Sequence, residues 1–262
     1  MTPRILAVRS ALPDNRCLQA EFTDAFAARG RMSPTERVFL DRLHASAQVE
    51  TRHTALPLAD CGVLRGAEAV NDRYIEEATA LGERALRRAL DAAGLGAGDL
   101  DLLIVTSVTG VAVPSLDHGP RVIASRSAVY PDSGDALGWR LSSDCFRIVL
   151  TTELPAVVER GLADSVTAFL AEHDLTIDDI ANWICHPGGP RVIDAVQRAL
   201  KLPDEAVAAS RRFLAEVGNM SSASVLHILE MISDTERPPA GSPGLMIGLG
   251  PGVSAELVLL RW

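Results

Sequence analysis

Three short segments in the second half of the chain bring together residue types suited to chemistry. His186 closes the apolar run Asn182-Trp183-Ile184-Cys185 and is followed by Pro187-Gly188-Gly189-Pro190. Adjacent glycines permit a sharp reversal and a proline suits the first turn of a helix, so an imidazole is delivered to the carboxyl end of a strand just before a helix begins. In open α/β sheets that end is where ligands bind. Asn219, in Gly218-Asn219-Met220-Ser221-Ser222-Ala223-Ser224, stands at an expected helix start, either as an ordinary N-cap packed against small side chains or as a site residue. The third segment, Gly248-Leu249-Gly250-Pro251-Gly252, is a glycine-rich loop before the last strand and serves equally well as a plain turn.

Four cysteines, Cys17, Cys61, Cys145 and Cys185, read as reduced and mostly structural thiols. They lie far apart without C-x-x-C spacing, which speaks against zinc and, in a cytosolic chain, against a disulfide framework. Strand side chains alternate, so Cys185 and His186 face opposite ways and do not form a nucleophile and base pair. Asp144 beside Cys145 raises rather than lowers a thiol pKa. His44, His53, His118, His173, His186 and His227 show no zinc-protease spacing, and no Walker or dinucleotide fingerprint follows a strand, so neither a metal nor a nucleotide cofactor is expected.

The elements that must position these residues alternate between helix and strand. Residues 4–9 read as a strand, and residues 17–29 as a helix with Leu18, Phe22 and Phe26 at i, i+4 spacing. Residues 33–46 form a second helix with Val38, Leu40 and Leu43, and residues 72–93 a third carrying Ile75, Ala78, Leu81, Ala85, Leu86 and Ala89 on one side, ending at Gly94. The continuous apolar run at 102–108 suits a strand covered on both faces. The same phrase recurs: a helix at 154–173, Asp178-Asp179-Ile180, then the strand ending at His186. With an offset of 80 positions Leu90 matches Leu170, Leu95 matches Leu175, Asp99 matches Asp179 and Ile104 matches Ile184, as in two halves of a duplicated unit or simply a common α/β phrase. Helices at 191–200 and 226–231, a proline-rich loop at 237–243, and strands at 245–248 and 255–260 complete an α/β chain.

With 262 residues, 47% of them hydrophobic, the chain can bury a large core. No long apolar run or signal-peptide pattern is present, so a cytoplasmic protein outside the membrane is expected. A formal net charge of −9 makes non-specific nucleic-acid binding an unfavourable reading, while leaving room for a local basic patch that holds an anion.

Taken jointly and in order, H-P-G-G-P at His186, G-N-M-S-S-A-S at Asn219 and the closing G-L-G-P-G resemble the C-terminal half of type III polyketide synthases, the chalcone-synthase-like branch of the thiolase superfamily. The likeness extends through Tyr130-Pro-Asp, Leu137-Gly-Trp, Phe146-Arg-Ile-Val-Leu and Glu256-Leu-Val-Leu-Leu, and in the N-terminal part through Thr51-Arg-His, Arg73-Tyr-Ile-Glu-Glu-Ala and residues 105–117. The resemblance implies a layered αβαβα fold of two related halves, 1–120 and 121–262, and an acyltransferase that condenses an acyl-CoA starter with malonyl-CoA. No cofactor is permanently bound; coenzyme A thioesters are the partners, and a homodimer is implied. His186 and Asn219 match the family's His and Asn, donors to the thioester oxygen as it gains negative charge. Gly250, Pro251 and Gly252 match the loop that shapes the cavity. Arg42 falls where the family has a basic residue near the coenzyme A phosphates, although its neighbours are not basic. Where the family continues from V-P-S-L-D to the turn that bears its nucleophilic cysteine, Asp117 here runs through His118-Gly119-Pro120 directly into Arg121-Val-Ile-Ala-Ser-Arg-Ser, a gap on the order of ninety residues judged against ordinary element lengths. The nucleophile therefore has no match in this chain, and an impaired synthase or a non-catalytic acyl-CoA-binding partner of an intact relative is expected.

Overall fold

A computed structural model describes residues 5–30, 32–62, 67–100, 120–131, 133, 136–141, 146–236 and 238–262. The expected strand at 102–108, its match Ile104, the segment 105–117, His118 and Cys145 lie outside them.

Alternation along the strands builds the core. Strands β3 (Arg121–Val129), β6 (Asn182–Cys185), β7 (Pro243–Gly250) and β8 (Ser254–Arg261) form one sheet in the order β3-β8-β7-β6, antiparallel except for the parallel pair β6 and β7. Trp183, Cys185, Leu245, Ile247, Leu257 and Leu259 point to one face, where they meet α4 (Leu154–Ala171) and α5 (Pro190–Leu200). Ile184, Met246 and Leu260 point to the other, against α6 (Ala208–Glu216) and α7 (Ala223–Met231). A period of two thus sorts every second residue into one of two cores. The helices answer with their own stripes: Val158, Leu162, Val166, Phe169 and Leu170 on α4, and Val192, Ile193, Val196 and Leu200 on α5, are all buried.

The first half is less well covered. Strands β1 (Asn15–Leu18) and β2 (Thr51–Thr54) pair antiparallel and flank a helical hairpin of α1 (Gln19–Gly30) and α2 (Pro34–Ser46). The α2 start is fixed by a capping box: the Glu36 N–H donates to the Ser33 hydroxyl at 3.3 Å, and the Ser33 N–H to the Glu36 carboxylate at 2.8 Å. The stripe expected to be buried on α1 is not the one that is. Gln19, Thr23 and Ala27 face inward, while Leu18 lies in β1 and Phe26 is 48% exposed. Burial of Thr23 is offset by its hydroxyl, which donates to the Gln19 carbonyl at 2.7 Å and lies 2.7 Å from His44 Nδ1. Similarly, only Leu40 of the expected α2 stripe is buried. Residues 5–9, expected as a strand, have no regular structure; a single strand-like bond from the Ile5 N–H to Pro120 O ties them down, and Ile5 and Val8 pack on the α6–α7 side of the sheet.

The two similar sequence phrases share local backbone geometry. Helix α3 (Ala67–Ala93) and helix α4 end alike: Gly94 and Asp174 are both left-handed, at φ 65° and 56°, and the Leu95 and Leu175 N–H groups reach back to Leu90 O and Leu170 O at 3.0 and 3.1 Å. Single turns follow at Ala97–Asp99 and Ile177–Asp179, each closed by an aspartate accepting a backbone N–H at 2.8 Å, from Gly96 and from Thr176. Of the α3 stripe, Ala89 is buried along with Leu90, whereas Ala78, Leu81, Ala85 and Leu86 stay partly exposed.

Candidate functional site

Helix α5 starts immediately after the reversal that follows β6, with Gly189 as N-cap and Pro190 in its first turn, as the sequence implies. His186 is held at the carboxyl end of β6 by its own N–H, which donates to Ile247 O at 2.8 Å, and its carbonyl accepts from the Gly188 N–H at 3.0 Å. One residue earlier, the Cys185 carbonyl accepts from the fully buried Ser210 hydroxyl at 2.8 Å. Desolvation is the cause that lowers the His186 pKa from 6.5 to about 4, so the imidazole is neutral near pH 7 and offers one N–H. Cys185 faces the α4–α5 core, and complete burial pushes its thiol up to about 12.

Asn219 is brought to the same turn. Its amide Nδ2 donates to Gly188 O at 3.3 Å, and its Oδ1 accepts from the Ser221 N–H at 2.8 Å, closing an Asx turn. It does not cap a helix: the N-cap of α7 is Ser222, preceded by Ser221 at φ 56°. Because β6 and β7 are parallel, the glycine-rich loop ending β7 lies at the same sheet end as His186. Gly252, at φ 75°, takes a conformation that suits glycine, and its N–H donates to Leu137 O at 2.7 Å, tying the loop to the hairpin of β4 (Leu137–Leu141) and β5 (Phe146–Leu150).

A cavity of about 580 Å³ opens beside this turn. The end of α2, Arg52 of β2, residues 150–155, residues 188–192, Leu214 and Asn219 wall it. His186 and the Gly250-Pro251-Gly252 turn are not part of its lining, and neither is Arg42, which is exposed on α2 one position before the lining residue Leu43. Among the described residues, Arg52, Arg191 and His44 are the basic side chains that do line it, and nothing local in the sequence marks them because the walls are distant in the chain. Arg52 donates to Gln19 Oε1 at 2.6 Å and lies 4.9 Å over the Phe22 ring. Burial lowers its pKa, and burial and then the Arg52 charge lower that of His44.

The other two described thiols, Cys17 and Cys61, belong to the β1 region and the turn after β2. Cys17 lies in β1, its pKa raised by burial first and by Glu21 second, with Sγ 3.7 Å from Arg52 O. Cys61 is half-buried, with Sγ 3.6 Å from Leu56 O. A buried histidine, His227 on α7, packs 5.4 Å from the Phe213 ring; burial and then Arg88 lower its pKa to about 4. Among the described residues no cluster of three potential metal ligands occurs, and no helix is long and apolar enough to cross a membrane.

A mixed sheet with helices on both faces, a repeated helix-turn unit and an imidazole at the carboxyl end of β6 define a thiolase-like fold. Two solved structures share it with a TM-score of 0.85: PKS-I from the brown alga Ectocarpus siliculosus, at 19% identity over 99% of this chain and 98% of that one, and the 1,3,6,8-tetrahydroxynaphthalene synthase of Streptomyces coelicolor A3(2), at 22% identity over 99% of each. The model of the C-terminal domain of chalcone and stilbene synthases matches residues 121–262. In sequence the chain is 36% identical to the 1,3,6,8-tetrahydroxynaphthalene synthase of Streptomyces peucetius subsp. caesius, across 98% of this chain and 93% of that protein. That alignment runs over 349 positions, more than the 262 residues present here. A 3,5-dihydroxyphenylacetyl-CoA synthase of Amycolatopsis orientalis is 30% identical over 78% of the chain. The chain belongs to the chalcone and stilbene synthase family, the type III polyketide synthases, whose substrates are coenzyme A thioesters and which hold no permanent cofactor.

Proposed function

We propose that this chain is a type III polyketide synthase homologue that binds coenzyme A thioesters and keeps the enolate-stabilising pair His186 and Asn219, but has lost the thiolate needed for condensation. The observation that carries this reading is the placement of the three described thiols. Cys185, next to His186, is turned into the opposite core with its pKa pushed to about 12, while Cys17 and Cys61 belong to the β1 region. An alignment longer than the chain itself supports an internal gap, which the sequence puts between Asp117 and Arg121.

Decarboxylation of malonyl-CoA needs no thiolate. The bond between Cα and the carboxylate breaks, carbon dioxide leaves, and the electron pair passes onto the thioester oxygen as an enolate; protonation at Cα gives acetyl-CoA. A neutral His186 N–H and the Asn219 amide are the donors that would stabilise that oxygen. Condensation requires an acyl group held on sulfur beside this pair. Arg42 and the Gly250-Pro251-Gly252 turn, the expected coenzyme A contact and cavity wall, do not line the cavity beside Asn219, so the reading rests on His186 and Asn219, with a cytoplasmic homodimer of halves 1–120 and 121–262 as its assembly. The matching ends of α3 and α4 support those halves.

A second reading, a non-catalytic chain that pairs with an intact relative, is favoured by the exposed Phe26, Val38, Phe39 and Leu43 on the α1–α2 hairpin. Intact-protein mass spectrometry after incubation with acyl-CoA tests the main reading: unmodified mass is expected. An acyl adduct mapped to any cysteine would overturn it.

A further inference from the structure

The cavity beside Asn219 is chemically lopsided. Among the described residues no aspartate or glutamate lines it, although the chain as a whole carries a formal charge of −9. Two guanidinium groups do, and neither Arg52 nor Arg191 has a carboxylate partner among the described residues, whereas arginines such as Arg37, Arg84, Arg198 and Arg211 are paired. Arg52 rests on an amide oxygen and a ring face, an arrangement that orients the guanidinium without neutralising it. Arg191 occupies the first turn of α5, a helix of 11 residues, beside Pro190, which has no N–H, and Gly189, whose carbonyl accepts from Val192 and Ile193 at 3.0 and 3.1 Å. The positive end of that helix therefore faces the same space. Between the cations the walls are largely apolar, from Leu43, Ala47, Val49, Leu150, Leu154 and Leu214.

We infer that Arg52 and Arg191, with the α5 N-terminus, seat the phosphate groups of a coenzyme A thioester in this cavity, in place of the expected Arg42, and that the apolar walls take the pantetheine arm. The inference rests on the proposed coenzyme A binding and assigns the residues responsible for it. Arg42 stands on the outer surface of α2 and does not reach the cavity lining. A space of about 580 Å³ is within the ordinary range for a small-ligand site. Planar guanidinium groups suit phosphate through paired N–H donors.

Calorimetric titration of the full chain with coenzyme A, with pantetheine and with pyrophosphate tests the assignment. Coenzyme A should bind at least tenfold more tightly than pantetheine, and pyrophosphate should compete with it. Arg191→Gln and Arg52→Gln should each weaken coenzyme A about tenfold, as expected for a lost charge-assisted bond, and leave pantetheine unchanged. Arg212→Gln, an exposed arginine on α6 outside the cavity, is the charge-matched control. Because Arg52 also packs on Phe22, the exposed Arg191 decides the matter if Arg52→Gln lowers the melting temperature. Loss of affinity confined to Arg42→Gln, or pyrophosphate binding without competition, overturns the assignment while the coenzyme A reading stands. Failure of the parent chain to bind coenzyme A at all overturns that reading itself.

Discussion

Acid should destabilise this protein well above the carboxylate range, and His227 should account for a measurable share. Its ring is 8% exposed, packed against Phe213 and near Arg88, and its pKa falls from 6.5 to about 4, by burial first and by the Arg88 charge second. A folded pKa below the unfolded one means that the unfolded chain binds more protons between these values. Stability is then full above pH 6.5 and is lost as pH falls toward 4. Integrating one site from pH 8 to pH 5 gives about 2 kcal/mol, an upper figure since the cavity around the ring can relax. His186 shifts the same way and adds to the parent's loss, by less because it is partly exposed. The assay is urea unfolding by far-ultraviolet circular dichroism at pH 8, 7, 6 and 5 for the parent and for His227→Phe. The variant should lose about 2 kcal/mol less than the parent over that span. Equal losses in the two proteins would refute the claim that a neutral, desolvated imidazole sits at this position.

Three other outcomes follow from local packing and exposure. A Cβ added at Gly161 would lie 2.6 Å from two ring atoms of the buried Tyr130, so Gly161→Ala should cost about 1–3 kcal/mol in denaturant unfolding; no loss would mean that the ring can move aside. Leu162→Ala, at a fully buried α4 position, should cost about 2–5 kcal/mol by the same assay. Brief iodoacetamide treatment at pH 8 followed by peptide mapping should modify the half-buried Cys61 before Cys17 or Cys185, and early labelling of Cys185 would contradict its burial.

Where the sequence was legible, one periodicity dominated. The apolar run into His186, the stripes of α4 and α5, and strands β7 and β8 are covered on both faces or on one full side, so burial and pattern agree. In the first half they part. Phe22 and Phe26 advertise an apolar stripe on α1, yet Thr23 is the buried residue because hydrogen bonds to Gln19 and near His44 satisfy its hydroxyl. Residues of β3 such as Arg121, Ser125 and Arg126 blur alternation on an edge strand, and α6 is too short for a clear stripe. His186 and Asn219 stand out in the sequence because each lies within a distinctive local phrase. The cavity basics Arg52 and Arg191 were not, since they meet only when β2 and the start of α5, far apart in the chain, pack around one space. Asn219 was half legible: the sequence places it just before a helix, but an Asx bond with the Ser221 N–H holds it there and Ser222 is the N-cap.

The most direct test of the central claim is to incubate the purified chain with carbon-13-labelled malonyl-CoA and an acyl-CoA starter and to follow all products by liquid chromatography and mass spectrometry. Labelled acetyl-CoA that disappears in Asn219→Ala, with no chain-extended product, is the predicted result. Formation of a labelled pyrone, resorcinol or naphthalene product by this chain alone would contradict it.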